Sequence, residues 1–234
     1  MTLDGPDPNA QHPLLVTTQW LAEHLDDPGL VLVDAGEAVA YRRGHIERAV
    51  GVPHPYLKGA ESPLLVMTPS EFEAFARGIG VSNDSEVVIY DDNASLYSAR
   101  VWWVFQRYGH TRARVVDGGL NAWIEEGRPI TAAPARPPAG TFTASEHLEV
   151  VCSVDELKGL VGGETQIWDA RTDGEWTGSN DRGNQRTGHV PGAKHLEWIR
   201  LMQGPPERRF RPLAEIRSML VEAGINPEAV TVTY

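Results

Sequence analysis

A single cysteine, Cys152, stands in 234 residues. One thiol excludes an internal disulfide framework and any metal site built from several cysteines. Long apolar runs are missing as well: nothing approaches the roughly 20 residues that a membrane-spanning helix needs. The opening residues, MTLDGPDPNAQH, lack the basic and apolar regions of a secretory signal. Positive charge is in short supply, with 21 Lys and Arg against 32 Asp and Glu for a net charge of −11. That sign argues against nonspecific nucleic-acid binding. Nothing in the composition points to disorder, since 41% hydrophobic and 23% charged residues are ordinary values for a globular chain. The expectation is a cytoplasmic monomer with no membrane or nucleic-acid partner, no metal and no cofactor.

What is present is alternation. Thr17 or Thr18 caps a short helix through His24, and Leu30–Val33 is an apolar run of the kind buried on both faces of a parallel sheet. Helical spacing follows over Ser70–Ile79, then a strand over Val87–Tyr90, an apolar helix over Ser95–Tyr108, a short strand at Val115–Val116 and a helix over Gly119–Glu126. Strand–helix alternation of this sort predicts an α/β fold with a parallel sheet flanked by helices. The stretch TAAPARPPAG from Thr131 has no periodicity and predicts a linker over residues 132–149, between domains at 14–131 and 150–234. Beyond it, Ser153 and Glu156 form a capping box before a helix to Leu160. Gln166–Trp168 is a strand ending at Asp169, Ala214–Glu222 a helix, and Val230–Tyr234 a strand.

The second part repeats the first. Gly80-Val81 precedes the strand ending at Tyr90, and Gly224-Ile225 precedes the strand ending at Tyr234, the copies being offset by 144 positions. Asp34 leads to Gly44-His45-Ile46 and Gly51, and Asp169 leads to Gly188-His189-Val190 and Gly192. The first copy runs on for about forty residues past Tyr90, through two helices and a strand. The second is therefore expected to be incomplete, with the counterpart of Asp91 immediately after Tyr234.

The segments VLVDAGEAVAYRRGHIERAVGVPH, VVIYDDNASLYSARVWW and VVDGGLNAWIEEGRPIT resemble the first half of tandem rhodanese-type sulfurtransferases. IWDARTDGEWTG and RTGHVPGAKHLEW look like the matching pieces of the active domain. The resemblance implies two rhodanese-like domains and transfer of sulfane sulfur through a cysteine persulfide. The donor is thiosulfate or 3-mercaptopyruvate, a small anion, and the acceptor cyanide or a thiol. It implies a nucleophile where a strand turns into a helix, which makes Asp91 the degenerate occupant of that position in a silent first domain. It also implies cysteine directly after Tyr234, so that the 234 residues alone are inactive. Cys152 fits no active-site loop and is expected to be a small apolar strand residue.

Asp169 and Arg171 form the Asp-x-Arg end of the second domain's first strand. One reading has Asp169 supporting the loops and Arg171 facing an anionic donor; the other is an ion pair that braces the fold. Arg186 resembles a second substrate arginine of the family, with Arg182 a competitor, while Glu175 stands where some relatives place an arginine. Arg182, Arg186, Arg200, Arg208, Arg209 and Arg211 fall close together in sequence, either to meet an anion or as a solvated loop. His45 and His189 recur as a pair and are expected to be structural. Trp102, Trp103, Trp123, Trp176 and Trp198 are expected to be packing residues. Two other classes compete: a non-catalytic rhodanese-like binding or regulatory module, and phosphatase-like chemistry on the same fold.

Overall fold

A computed structural model describes residues 12–62, 65–206 and 208–234. It divides into two units, one reaching to Val150 and including Gly204–Arg209, the other holding Val151–Gln203 and Phe210–Tyr234.

In the first unit the chain runs β1 (Leu15–Val16), α1 (Thr18–His24), β2 (Leu30–Asp34), α2 (Ala38–Arg43), β3 (Val50–Gly51), α3 (Pro69–Gly78), β4 (Glu86–Tyr90), α4 (Leu96–Arg107), β5 (Ala113–Val116) and α5 (Gly119–Glu125). The sheet order is β1-β5-β4-β2-β3, with every pair parallel. Because side chains alternate across a strand, β4 feeds two cores. Val87 and Ile89 join Phe72, Phe105 and Tyr108 on one face, and Val88 and Tyr90 join Leu21, Leu120 and Trp123 on the other. Helix starts are capped as expected at Thr17, whose hydroxyl accepts from the Trp20 amide. A capping box at Thr68 and Glu71 opens α3.

Residues 132–149, expected to be a linker, lie along this unit instead. Phe142 is fully buried in its core. The Gly140 and Phe142 amides donate to the Arg77 and Val81 carbonyls, and those of Ser145 and His147 to Tyr108 and Arg107. A proline-rich segment has few amides to satisfy, and these find carbonyls at the ends of α3 and α4, so a spacer-like composition conceals a docked backbone. Gly204–Arg209, expected in the second domain, also belongs here: Arg209 donates to the Asp117 carbonyl at 3.1 Å and pairs with Glu126 at 2.5 Å.

The second unit contains α6 (Val154–Leu160), β6 (Gln166–Asp169), α7 (Asp173–Thr177), β7 (Lys194–His195), α8 (Leu213–Glu222) and β8 (Thr231–Thr233). Its parallel sheet, ordered β7-β6-β8, reproduces β3-β2-β4 of the first unit. The Ala35 amide donates to the Tyr90 carbonyl at 2.8 Å, and the Ala170 amide to the Tyr234 carbonyl at 3.0 Å. Among the described residues its buried apolar side chains are Ile167, Leu196, Met202 and Ile225, and Val230 beside the edge strand β8 is 80% exposed. Cys152 is not in a strand. It follows a 3₁₀ turn at Leu148–Val150 and precedes the Ser153 cap, half-buried, with Sγ 3.6 Å from the Ser153 carbonyl. Among the described residues no strand pairs with the apolar residues Val150 and Val151 before it.

Candidate functional site at the strand ends

At the end of β4 the chain turns into α4 through Asp91–Ser95. Ala94 and Ser95 take the left-handed conformation (φ 54° and 64°), which turns successive amides inward. The buried Asp91 carboxylate fills the resulting nest. Its Oδ1 accepts from the Asn93 and Ser95 amides at 2.8 and 3.0 Å, and its Oδ2 from those of Tyr97 and Ser98 at 2.8 and 2.7 Å. The loop is closed from behind by Gly119, where a Cβ would sit 2.2 Å from the Asp91 carbonyl. Asp91 thus organises the turn and supplies an anion to the start of α4. Four amides thus converge on one carboxylate.

The end of β6 carries a second polar cluster. Asp169 is fully buried. The Arg171 amide and Nε donate to its Oδ1, each at 3.0 Å, and Arg171 Nη2 donates to Oδ2 at 2.6 Å. The same Nη2 reaches the Gly188 carbonyl at 3.0 Å, and the guanidinium lies 4.9 Å from the centre of the Tyr234 ring. Tyr234 accepts from the Val190 amide at 2.9 Å and hydrogen-bonds Asp169. Burial pushes Asp169 up, but the Arg171 guanidinium and amide and the Tyr234 hydroxyl outweigh it and hold the carboxyl below its usual value. Asp169 is ionised at neutral pH and locked.

The first unit repeats this arrangement with one change. Asp34 accepts from the Gly36 amide at 2.8 Å and hydrogen-bonds Tyr90, whose hydroxyl accepts from the Ile46 amide at 3.0 Å. Gly36 stands where the second unit has Arg171, so no guanidinium meets the carboxylate. Burial then dominates and pushes Asp34 up to about 6, with Asp92 adding to the rise. The tyrosine in each copy is a structural partner that sequence reasoning passed over. The signal was there, since Tyr90 and Tyr234 occupy equal places in the repeat.

Arg186 is exposed and, among the described residues, makes no ion pair. It lines a small cleft with Arg171, Glu175, Arg182, Thr187 and Gly188. Arg182, its competitor in the sequence, is paired with Glu175 at 3.2 Å. The other arginines of the run disperse: Arg200 binds Asp173 at 2.6 Å and Arg211 binds Glu215 at 2.5 Å. His45 is buried against the Tyr41 ring at 3.8 Å, with Nδ1 2.7 Å from the Tyr41 carbonyl. His189 is exposed and repeats the motif on Trp176, ring to ring at 3.4 Å, with Nδ1 3.0 Å from the Trp176 carbonyl. Trp123 is a buried packing residue, whereas Trp176 stacks on His189 and His195 at the surface of its unit. Among the described residues no group of three or more His, Cys, Asp or Glu is placed to hold a metal ion, and no helix is long and apolar enough to cross a membrane.

Comparison with known proteins bears on this geometry. A family model described as a rhodanese-like domain matches residues 17–126. The thiosulfate sulfurtransferase of Azotobacter vinelandii is 32% identical over 231 residues, covering 97% of this chain and 84% of that protein. The sulfur carrier protein TtuD of Thermus thermophilus is 29% identical, covering 95% of this chain and 82% of its own length. The crystal structure of the 3-mercaptopyruvate sulfotransferase SseA from Escherichia coli superposes with a TM-score of 0.84 at 27% identity, over 94% of this chain and 87% of that one.

Proposed function

The chain belongs to the rhodanese family of sulfurtransferases, and from that premise we propose that it moves sulfane sulfur at the ends of β6 and β8 of the second unit. The proposed carrier is a cysteine at the position following Tyr234, the counterpart of Asp91 in the repeat. The proposed donor is thiosulfate or 3-mercaptopyruvate, and the acceptor cyanide or a thiol. The observation that carries the reading is the four-amide nest after β4. The first unit fills its nest with a carboxylate, which cannot carry sulfur and repels an anionic donor, so this unit is silent. The same turn after β8 would hold a thiolate among the amides that start the next helix, lowering its pKa and stabilising the persulfide.

The reaction then needs no outside oxidant or reductant. With thiosulfate as donor, the thiolate attacks its outer sulfur, the S–S bond breaks, and sulfite leaves with the electron pair. Cyanide or a thiolate next attacks the outer sulfur of the enzyme persulfide and returns the cysteine as thiolate. Arg186 contacts the donor's oxyanion end. Arg171, with Nε and Nη2 committed to Asp169 and the Gly188 carbonyl, positions the loop that carries Arg186. Asp169 supports both by anchoring Arg171 and Tyr234.

Thiocyanate formation from thiosulfate and cyanide tests this. The 234 residues alone are expected to give none, in wild type and in Cys152→Ser alike. Turnover that survives Cys152→Ser would overturn the persulfide route, and turnover abolished by it would move the site to Cys152.

A further inference from the structure

We infer that Glu175 limits the anion affinity of the donor cleft by holding Arg182 away from the donor. This rests on the cleft beside Arg186 being the donor site. Three guanidiniums border it, and two are already matched: Arg171 by Asp169 at 2.6 Å and Arg182 by Glu175 at 3.2 Å. Asp181 brings a third carboxylate to the rim, where its Oδ1 accepts from the Gly183 amide at 2.8 Å. Three positive and three negative groups leave the cleft formally neutral, so no net field gathers oxyanions into it.

Glu175 has a second duty, which separates its charge from its shape. It closes the capping box of α7, where Oε2 accepts from the Thr172 amide and hydroxyl at 3.3 and 2.7 Å. Glutamine serves a capping box as well as glutamate does. The negative charge is therefore spare as far as the helix is concerned, and its distinct effect falls on Arg182. Burial raises Glu175, since only 13% of its side chain is exposed, but the Thr172 bonds and the Arg182 guanidinium outweigh burial and keep it below the usual carboxylate value. The pair persists through the neutral range. A field-driven cleft would gather oxyanions of either kind; a neutral one leaves their affinity to direct contacts.

The test is sulfate and thiosulfate binding to the 234-residue chain by calorimetry at low salt, with amide shifts in residues 171–189 locating the site. Glu175→Gln keeps the cap and frees Arg182, and is expected to tighten both anions about tenfold, the scale of one unit charge at a surface cleft. The gain should shrink at high salt and vanish in Glu175→Gln/Arg182→Ala. Arg182→Gln in the native background provides a second arm: it bares Glu175 and should weaken both anions severalfold. Unchanged affinity in both single variants, with binding still lost in Arg186→Ala, overturns the role of Glu175 while the donor site stands. Absence of anion shifts around Arg186 in every variant overturns the donor site itself, and this inference with it.

Discussion

Replacing Arg171 by glycine would convert the second unit's aspartate site into a copy of the first unit's, so the first unit forecasts the behaviour of the variant. Asp34 shows the state of a buried aspartate at this strand end when an amide and a tyrosine hydroxyl bond it, no guanidinium does, and Asp92 stands nearby: about 6, against an ordinary 3.8. A shift of that size corresponds to about 3 kcal/mol between the protonation states. Asp169, with Arg171 in place, lies below its ordinary value. In Arg171→Gly it should climb toward the Asp34 value, so the variant should lose up to about 3 kcal/mol at neutral pH. A depressed carboxyl gives stability that is present above its unfolded pKa and fades as pH falls through the folded one. A raised carboxyl gives stability that is present below pH 3.8 and is lost as pH rises through about 6. The destabilisation should therefore be greatest above pH 6 and much smaller near pH 3, where only the lost bond to the Gly188 carbonyl and the Tyr234 stacking remain. Carboxyl-carbon NMR titration of Asp169 and Asp34, with urea midpoints at several pH values, reads both effects. An Asp169 that still titrates below 4 in Arg171→Gly, or a destabilisation independent of pH, would refute the reasoning.

Asp34→Asn should raise the melting temperature of the first unit at pH 7.5, by the equivalent of about 1–2 kcal/mol after the weaker hydrogen bonds of the amide are allowed for, and should give no gain at pH 3.5. Asp91→Ala strands four inward-pointing amides and should destabilise the first unit by about 2–4 kcal/mol in thermal unfolding.

The strands that carry the site were legible because burial on both faces leaves unbroken apolar runs: Leu30–Val33 and Val87–Tyr90 stand out at once, and both units' repeated aspartates follow from where such runs stop. Ser153 and Glu156 announced α6 through capping chemistry alone. β1, β3 and β7 are two residues each, too short for any periodicity to register, and α7 is five residues whose Thr172–Glu175 box was the only sign of it. The docking of residues 132–149 was hidden because it rests on backbone bonds and one buried phenylalanine rather than on a pattern. The nest around Asp91 was half legible: its turn-organising role follows from strand-to-helix position, but left-handed Ala94 and Ser95 are residues with no preference for that conformation. The contrast between Gly36 and Arg171, written plainly in the repeat, acquires meaning only when burial shows that neither aspartate can reach water.

The measurement closest to the central proposal is the site of persulfide formation in the protein expressed through the codon that follows Tyr234. After treatment with thiosulfate and removal of excess donor, peptide mass spectrometry should find one added sulfur atom on a cysteine directly after Tyr234, none on Cys152, and loss of the label on addition of cyanide. A sulfur atom on Cys152 would contradict the account and move the site there; a residue other than cysteine after Tyr234 would contradict it and leave the rhodanese fold of this chain to serve binding rather than transfer.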